Sequence, residues 1–208
     1  MEQLPLAVRL RDTARLDSFV PGRNREALES IGTGSRATPK VLWLWGRPGT
    51  GKTHLMQGAC AAVAERGGSA SYLDLAEAEP GWLEGCENFD LVCLDGIDCV
   101  AADAAWNEAI FRLHTLMLDG PGRLYVSSSM PPAALEFQLP DLRSRLLAAS
   151  VHQLQDLDEA EQAEALLQAG SSSMDSTPST PSSPSILSSA RAGSCGATAR
   201  NSSCSVWM

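Results

Sequence analysis

Gly46-Arg47-Pro48-Gly49-Thr50-Gly51-Lys52-Thr53 is the stretch from which the fold follows. It completes the pattern G-x-x-x-x-G-K-[ST]. Before it, Val41–Trp45 (VLWLW) is a short apolar run ending in Gly and Pro, the mark of a buried strand. After it, residues 52–66 (KTHLMQGACAAVAER) carry Ala, Leu and Met at helical spacing until Gly67-Gly68 stops them. A glycine-rich turn between strand and helix is the setting in which this pattern cradles phosphate. Gly49 and Gly51 let the backbone curl so that its N–H groups point inward. The helix that starts near Lys52 adds the positive end of its dipole. Lys52 brings a point charge to the outer phosphates, and Thr53 offers a hydroxyl to Mg²⁺. The plainer alternative, a Gly/Pro turn with no ligand, gives Lys52 and Thr53 no task.

Further along the chain, apolar runs and helical patterns alternate. Residues 70–75 (ASYLDL), 90–95 (DLVCLD), 123–128 (RLYVSS) and 150–155 (SVHQLQ) read as strands. Residues 104–118 read as an amphipathic helix with Trp106, Ile110, Leu113 and Met117 on one face. Pro131-Pro132 opens a short helix toward Phe137, and residues 158–168 suggest a last helix with Asp158 near its N-cap. Continuous apolar strands alternating with helices predict a parallel sheet covered on both faces.

The chain has 208 residues and net charge −9, from 16 Lys+Arg against 25 Asp+Glu, which excludes a protein that coats nucleic acid through overall positive charge. No apolar stretch approaches a membrane span, and the N-terminus has no secretion-signal core. A cytoplasmic location is the expectation. Cys60, Cys86, Cys93 and Cys99 lie in or beside apolar runs without a C-x-x-C pair, so buried reduced thiols are expected. From Gly170 onward the composition changes: 39 residues hold 14 Ser, 3 Pro and one acid, with no sustained apolar periodicity. Such a segment cannot bury enough surface to offset the entropy of ordering it, and residues 170–208 are expected to be disordered.

A phosphate-loop site needs a carboxylate at the end of a neighbouring strand to hold Mg²⁺ through water. Leu91-Val92-Cys93-Leu94-Asp95 supplies one, the alternative being a strand that simply turns at Asp95-Gly96. Thr53 and Asp95 are thus the candidate metal-site residues. Many P-loop ATPases place an acid directly after that Asp to polarise the attacking water. Here the position is Gly96, and nothing in the sequence brings Asp98 to the water. Nucleotide binding with weak or no intrinsic hydrolysis is the expectation. In LPDLRSRL (residues 139–146), Arg143 and Arg145 point to different helix faces; one can pair with Asp141 and the other project outward.

Taken in order, these motifs resemble the AAA+ proteins of the DnaA group, and within it the Hda-type regulatory inactivators. The resemblance covers about residues 3–168. LDSFVPGRN (16–24) resembles the N-terminal linker that packs on adenine, GRPGTGKTHL (46–55) the phosphate loop, and LVCLDGID (91–98) the Walker B strand. RLYVSSSMPP (123–132) resembles the sensor 1 strand, and LPDLRSRL the segment with the arginine finger. The resemblance implies an α/β, three-layer AAA+ domain over residues 11–157, its parallel sheet flanked by helices. It implies that Phe19, Val20, Asn24, Pro48, Gly49, Thr50, Gly51, Lys52, Thr53 and His54 hold ADP or ATP with Mg²⁺, and that Arg145 is the finger. Gln3-Leu4-Pro5-Leu6, within residues 1–10, resembles the short peptides by which bacterial replication proteins dock on the sliding clamp, an extended segment entering an apolar groove.

The mechanism so implied works in trans. The protein sits on the DNA-loaded clamp of DNA polymerase III and presents Arg145 to ATP bound on DnaA. Hydrolysis there inactivates the initiator, a negative control of replication initiation. DNA is met indirectly through the clamp, no membrane is involved, and self-association is possible. Two departures stand out. The sensor 1 position holds Ser129, Ser127 or Ser128 where relatives often carry an acid. The helical lid of relatives is reduced to its start at 158–169 before the Ser/Pro tail, as a shifted reading frame would produce. Two other readings compete: a helicase-loader-like ATPase of the DnaA/DnaC group, and a non-functional truncated product.

Overall fold

The computed structural model describes residues 14–32, 38–158, 161 and 204–207. Five strands, β1 (Val41–Trp45), β2 (Ala70–Asp74), β3 (Leu91–Asp95), β4 (Arg123–Ser128) and β5 (Ser150–Gln153), form a parallel sheet. Four helices accompany them: α1 (Arg25–Gly32), α2 (Lys52–Glu65), α3 (Ala104–Asp119) and α4 (Pro140–Leu147). Strand β6 (Cys204–Trp207) adds antiparallel to β2, giving the order β5-β1-β4-β3-β2-β6.

The strands read as near-continuous apolar runs because both faces of the sheet are covered, and the period of two sorts their residues between two cores. Trp43, Leu73, Val92, Leu94, Leu124 and Val126 face one layer, where they meet Ile110, Leu113 and Met117 of α3 and Leu142 and Leu146 of α4. Leu42, Leu44, Tyr72, Leu91, Cys93 and Tyr125 face the other, where they meet Ala27 and Ile31 of α1 and Leu55, Met56, Ala59 and Cys60 of α2. The three-layer α/β architecture expected from the sequence is the one observed, and the expected apolar face of α3 is buried.

Several expectations need correction. β3 does not adjoin the phosphate-loop strand: β4 lies between them and pairs with both. Order in a parallel sheet depends on the crossovers, which local patterning does not report. The turn after Pro131-Pro132 is a single 3₁₀ turn (Pro132–Ala134) rather than a helix reaching Phe137. Of residues 170–208, expected to be disordered, all but 204–207 lie outside the described residues. Cys60, Cys86 and Cys93 are buried thiols as expected, but Cys99 is exposed on the turn after β3.

The expected clamp peptide, Gln3 to Leu6, lies outside the described residues, as does the helix over 158–168 apart from Asp158 and Glu161. Those two form a reciprocal capping pair. The Asp158 N–H donates to Glu161 Oε2 and the Glu161 N–H to Asp158 Oδ1, each at 2.9 Å, which agrees with an N-cap at Asp158. Among the described residues no helix is long and apolar enough to cross a membrane.

α3 carries most of one layer and is started by Asp103, whose Oδ1 accepts the Trp106 N–H at 3.0 Å. Asp103→Ala is expected to cost about 1 kcal/mol of stability, the usual worth of such a cap, seen as a lowered urea midpoint with an unchanged slope.

Candidate nucleotide site

The phosphate loop takes its shape from residues at its bends. Gly49 (φ +90°) and Gly51 (φ +91°) are left-handed, a region that favours glycine. Gly51 is doubly constrained, because a Cβ there would come within 2.8 Å of the Phe19 ring. The Thr50 side chain closes the turn by donating to Arg47 O at 2.9 Å. Pro48 and Gly49 lie exposed on the loop crest. Lys52 Nζ donates to Gly46 O (2.7 Å) and Arg47 O (2.9 Å), so the ammonium lies within the loop. Burial lowers the Lys52 pKa, against the opposing pull of the Asp95 and Asp98 carboxylates.

The N-terminal linker lies against this loop. Phe19 stacks at a tilt on His54, ring centres 5.9 Å apart, and His54 Nε2 is 3.0 Å from Arg15 O. Val20 is buried. Asn24 is 98% buried, and its amide pairs with the backbone of Gln155: Nδ2 donates to Gln155 O (3.0 Å) and Oδ1 accepts the Gln155 N–H (2.8 Å). Asn24 therefore clasps the linker to the exit of β5.

Asp95 is the convergence point of the site. It is 9% exposed, and its Oδ2 accepts the Thr53 hydroxyl at 2.7 Å and the Tyr72 hydroxyl at 2.6 Å, while Oδ1 accepts the Ser127 hydroxyl. Ser127 Oγ also accepts the Gly96 N–H at 3.0 Å. Strand periodicity explains the meeting: Tyr72, Asp95 and Ser127 all lie on the α2 side of three adjacent strands. Ser127 was among the sequence candidates. Tyr72 was not, and only the pairing register, which sets Tyr72 opposite Cys93 and Asp74 opposite Asp95, could have found it.

The three serines of residues 127–129 make the following hydrogen bonds. Ser127 serves Asp95, Ser128 Oγ accepts the Met130 N–H (3.2 Å), and Ser129 holds Asp98 through its N–H (3.2 Å) and hydroxyl (2.7 Å). Burial raises the Asp98 carboxyl, but these hydrogen bonds outweigh it and the pKa falls below the ordinary aspartate value. Each Asp98 oxygen accepts one bond from Ser129, so its carboxylate ties the turn after β3 to the end of β4.

The donor set fits a nucleotide with Mg²⁺. Thr53 and Asp95 are hard oxygen donors in mutual contact, and Gly49 and Gly51 keep side chains out of the loop. Arg145 lies on the opposite layer, at α4. Its Nη1 donates to Thr115 Oγ1 at 2.8 Å and its guanidinium lies 4.4 Å over the Phe111 ring. Arg143 donates to Ala133 O at 3.0 Å. The expected pairing of one arginine with Asp141 is replaced by these contacts.

No protein-family model matches the chain. Solved structures do. AMPPCP-bound DnaA from Aquifex aeolicus matches with a TM-score of 0.67 at 20% identity, over 82% of this chain and 58% of that one. Domain III of the Thermotoga maritima replication initiation protein DnaA matches with a TM-score of 0.67 at 21% identity, over 82% of this chain and 78% of that one. DnaI matches with a TM-score of 0.50 at 16% identity, over 73% of this chain and 87% of that one. This chain thus spans little more than half the length of the AMPPCP-bound DnaA. At these identities the likeness is one of fold, and the fold is the AAA+ fold of DnaA.

The lowered Asp98 pKa sets a pH dependence. A depressed carboxyl adds stability that is complete above the unfolded value, about 4, and is lost as pH falls through the folded value. Asp98→Asn is expected to flatten the fall in urea midpoint below pH about 4 relative to the parent protein, measured against the midpoint at pH 7.

Proposed function

We propose that this protein is a nucleotide-holding AAA+ protein of replication initiation that hydrolyses little by itself and acts on ATP held by a DnaA-type partner. One observation carries the reading. Thr53 and Asp95 meet at 2.7 Å beside a formed phosphate loop, yet the next position is Gly96 and the nearby Asp98 is bound by Ser129. Such a site can bind and orient a nucleotide, while position 96 has no side chain to polarise a water and Asp98 is held through both oxygens by Ser129.

In this reading the loop N–H groups and Lys52 hold the phosphates, and Thr53 with Asp95 holds Mg²⁺, which would offset phosphate charge. Phe19, Val20 and His54 line the linker side, with Asn24 fixing the linker's course. The nucleotide, ADP or ATP, sets conformation. Arg145 is the group that acts outward. A guanidinium supplied in trans stabilises transition-state charge on a neighbouring triphosphate by about 10³–10⁵-fold where such fingers operate. Its contacts with Phe111 and Thr115 fix the side chain on the outer layer, away from the chain's own loop. The N-terminal Gln3-Leu4-Pro5-Leu6 docks the sliding clamp, so the protein acts on DNA through that ring, near the nucleoid. The result is inactivation of DnaA.

A second reading is a helicase-loader-like ATPase, favoured by the match to DnaI along most of that chain's length. Clamp binding separates the two: the first reading expects co-elution with the clamp that is lost on changing Gln3 and Leu4 to Ala.

Two outcomes test the main reading. Lys52→Ala is expected to weaken ADP binding at least about tenfold, as loss of a charge-assisted phosphate contact should, by titration calorimetry. Arg145→Ala is expected to keep ADP affinity and lose most of the stimulated hydrolysis of DnaA-bound ATP on DNA-loaded clamp. Equal stimulation by parent and variant would sink the finger.

A further inference from the structure

Tyr72 is a buried residue of β2 that the resemblance assigns no role. Its hydroxyl donates to Asp95 Oδ2 at 2.6 Å, on the same oxygen that takes the Thr53 hydroxyl at 2.7 Å.

An ionised carboxylate has roughly four acceptor positions. Thr53 and Tyr72 take both on Oδ2, and Ser127 takes one on Oδ1. About one is left for waters of a bound cation. Asp95 is nearly enclosed, so solvent cannot readily add more. Mg²⁺ keeps several of its waters and is usually gripped through few direct contacts, so what its waters can donate to matters.

We propose that Tyr72 is a positioning residue that limits the metal's share in nucleotide binding: by occupying Asp95 Oδ2 it makes this protein hold ADP nearly as well without Mg²⁺ as with it. This rests on the reading of the loop as a nucleotide site. Removing the hydroxyl leaves Thr53 and Ser127 to fix both carboxylate oxygens, so orientation survives. The freed acceptor position is then unpaired without the metal and satisfied by a metal-bound water with it. A buried acceptor left unpaired is costly, so the gain falls on the metal-bound state.

The test is ADP affinity by titration calorimetry, in Mg²⁺ and in EDTA, for the parent protein and Tyr72→Phe. The ring is retained, and equal melting temperatures without nucleotide check the fold. The parent is expected to show a ratio of affinities (Mg²⁺ over EDTA) below about threefold, and the variant about tenfold, with the change on the Mg²⁺ side, as gain of one buried hydrogen bond implies. An unchanged ratio in the variant, or a ratio that rises only because binding in EDTA weakens, overturns the role of Tyr72. A parent ratio of about tenfold or more overturns it without any variant. Absence of ADP binding by the parent in both buffers overturns the nucleotide site itself, and Tyr72's role with it.

Discussion

A single carboxylate holds the candidate site together. Asp95 ends β3, and three hydroxyls from three different elements converge on it: Thr53 from the start of α2, Tyr72 from β2 and Ser127 from β4. In a nearly enclosed setting a charge is tolerated only when it is well paired. These donors therefore answer a physical demand and at the same time fix the helix start relative to the sheet. The phosphate loop lies between β1 and α2, so its geometry depends on that anchoring.

Around this point the molecule divides its tasks between two layers. The α2 side carries the loop, the linker residue Phe19 against His54 of α2, and the clasp between Asn24 and Gln155. The α3 and α4 side carries Arg145 on Phe111 and Thr115. The candidate binding loop and the Arg145 guanidinium thus lie on opposite faces of the sheet, the guanidinium held by its own chain.

Much of this was legible in the chain. The strand before the loop, the helix after it and the five parallel strands follow from short apolar runs and glycine stops. The end of β3 at Asp95 was equally readable. Other features were hidden. Tyr72 looked like an ordinary strand aromatic, because its role depends on which residue of β3 lies opposite. The Asn24 amide meets the backbone of Gln155, a partner 131 residues away in sequence that no local pattern indicates. Asp98 gave no sign of its link to Ser129, 31 residues further on.

By itself the sequence determined the local conformations and the chemistry available: a turn that only glycines permit, a lysine and threonine at the helix start, an aspartate followed by a residue with no side chain. Those follow from interactions a few residues apart along the chain. Tertiary structure alone decided that β4 stands between β1 and β3, that three hydroxyls share one carboxylate, and that Arg145 rests on α3. Strand order and register arise from long-range backbone pairing and from the burial of two apolar faces at once, and no window of sequence contains both partners.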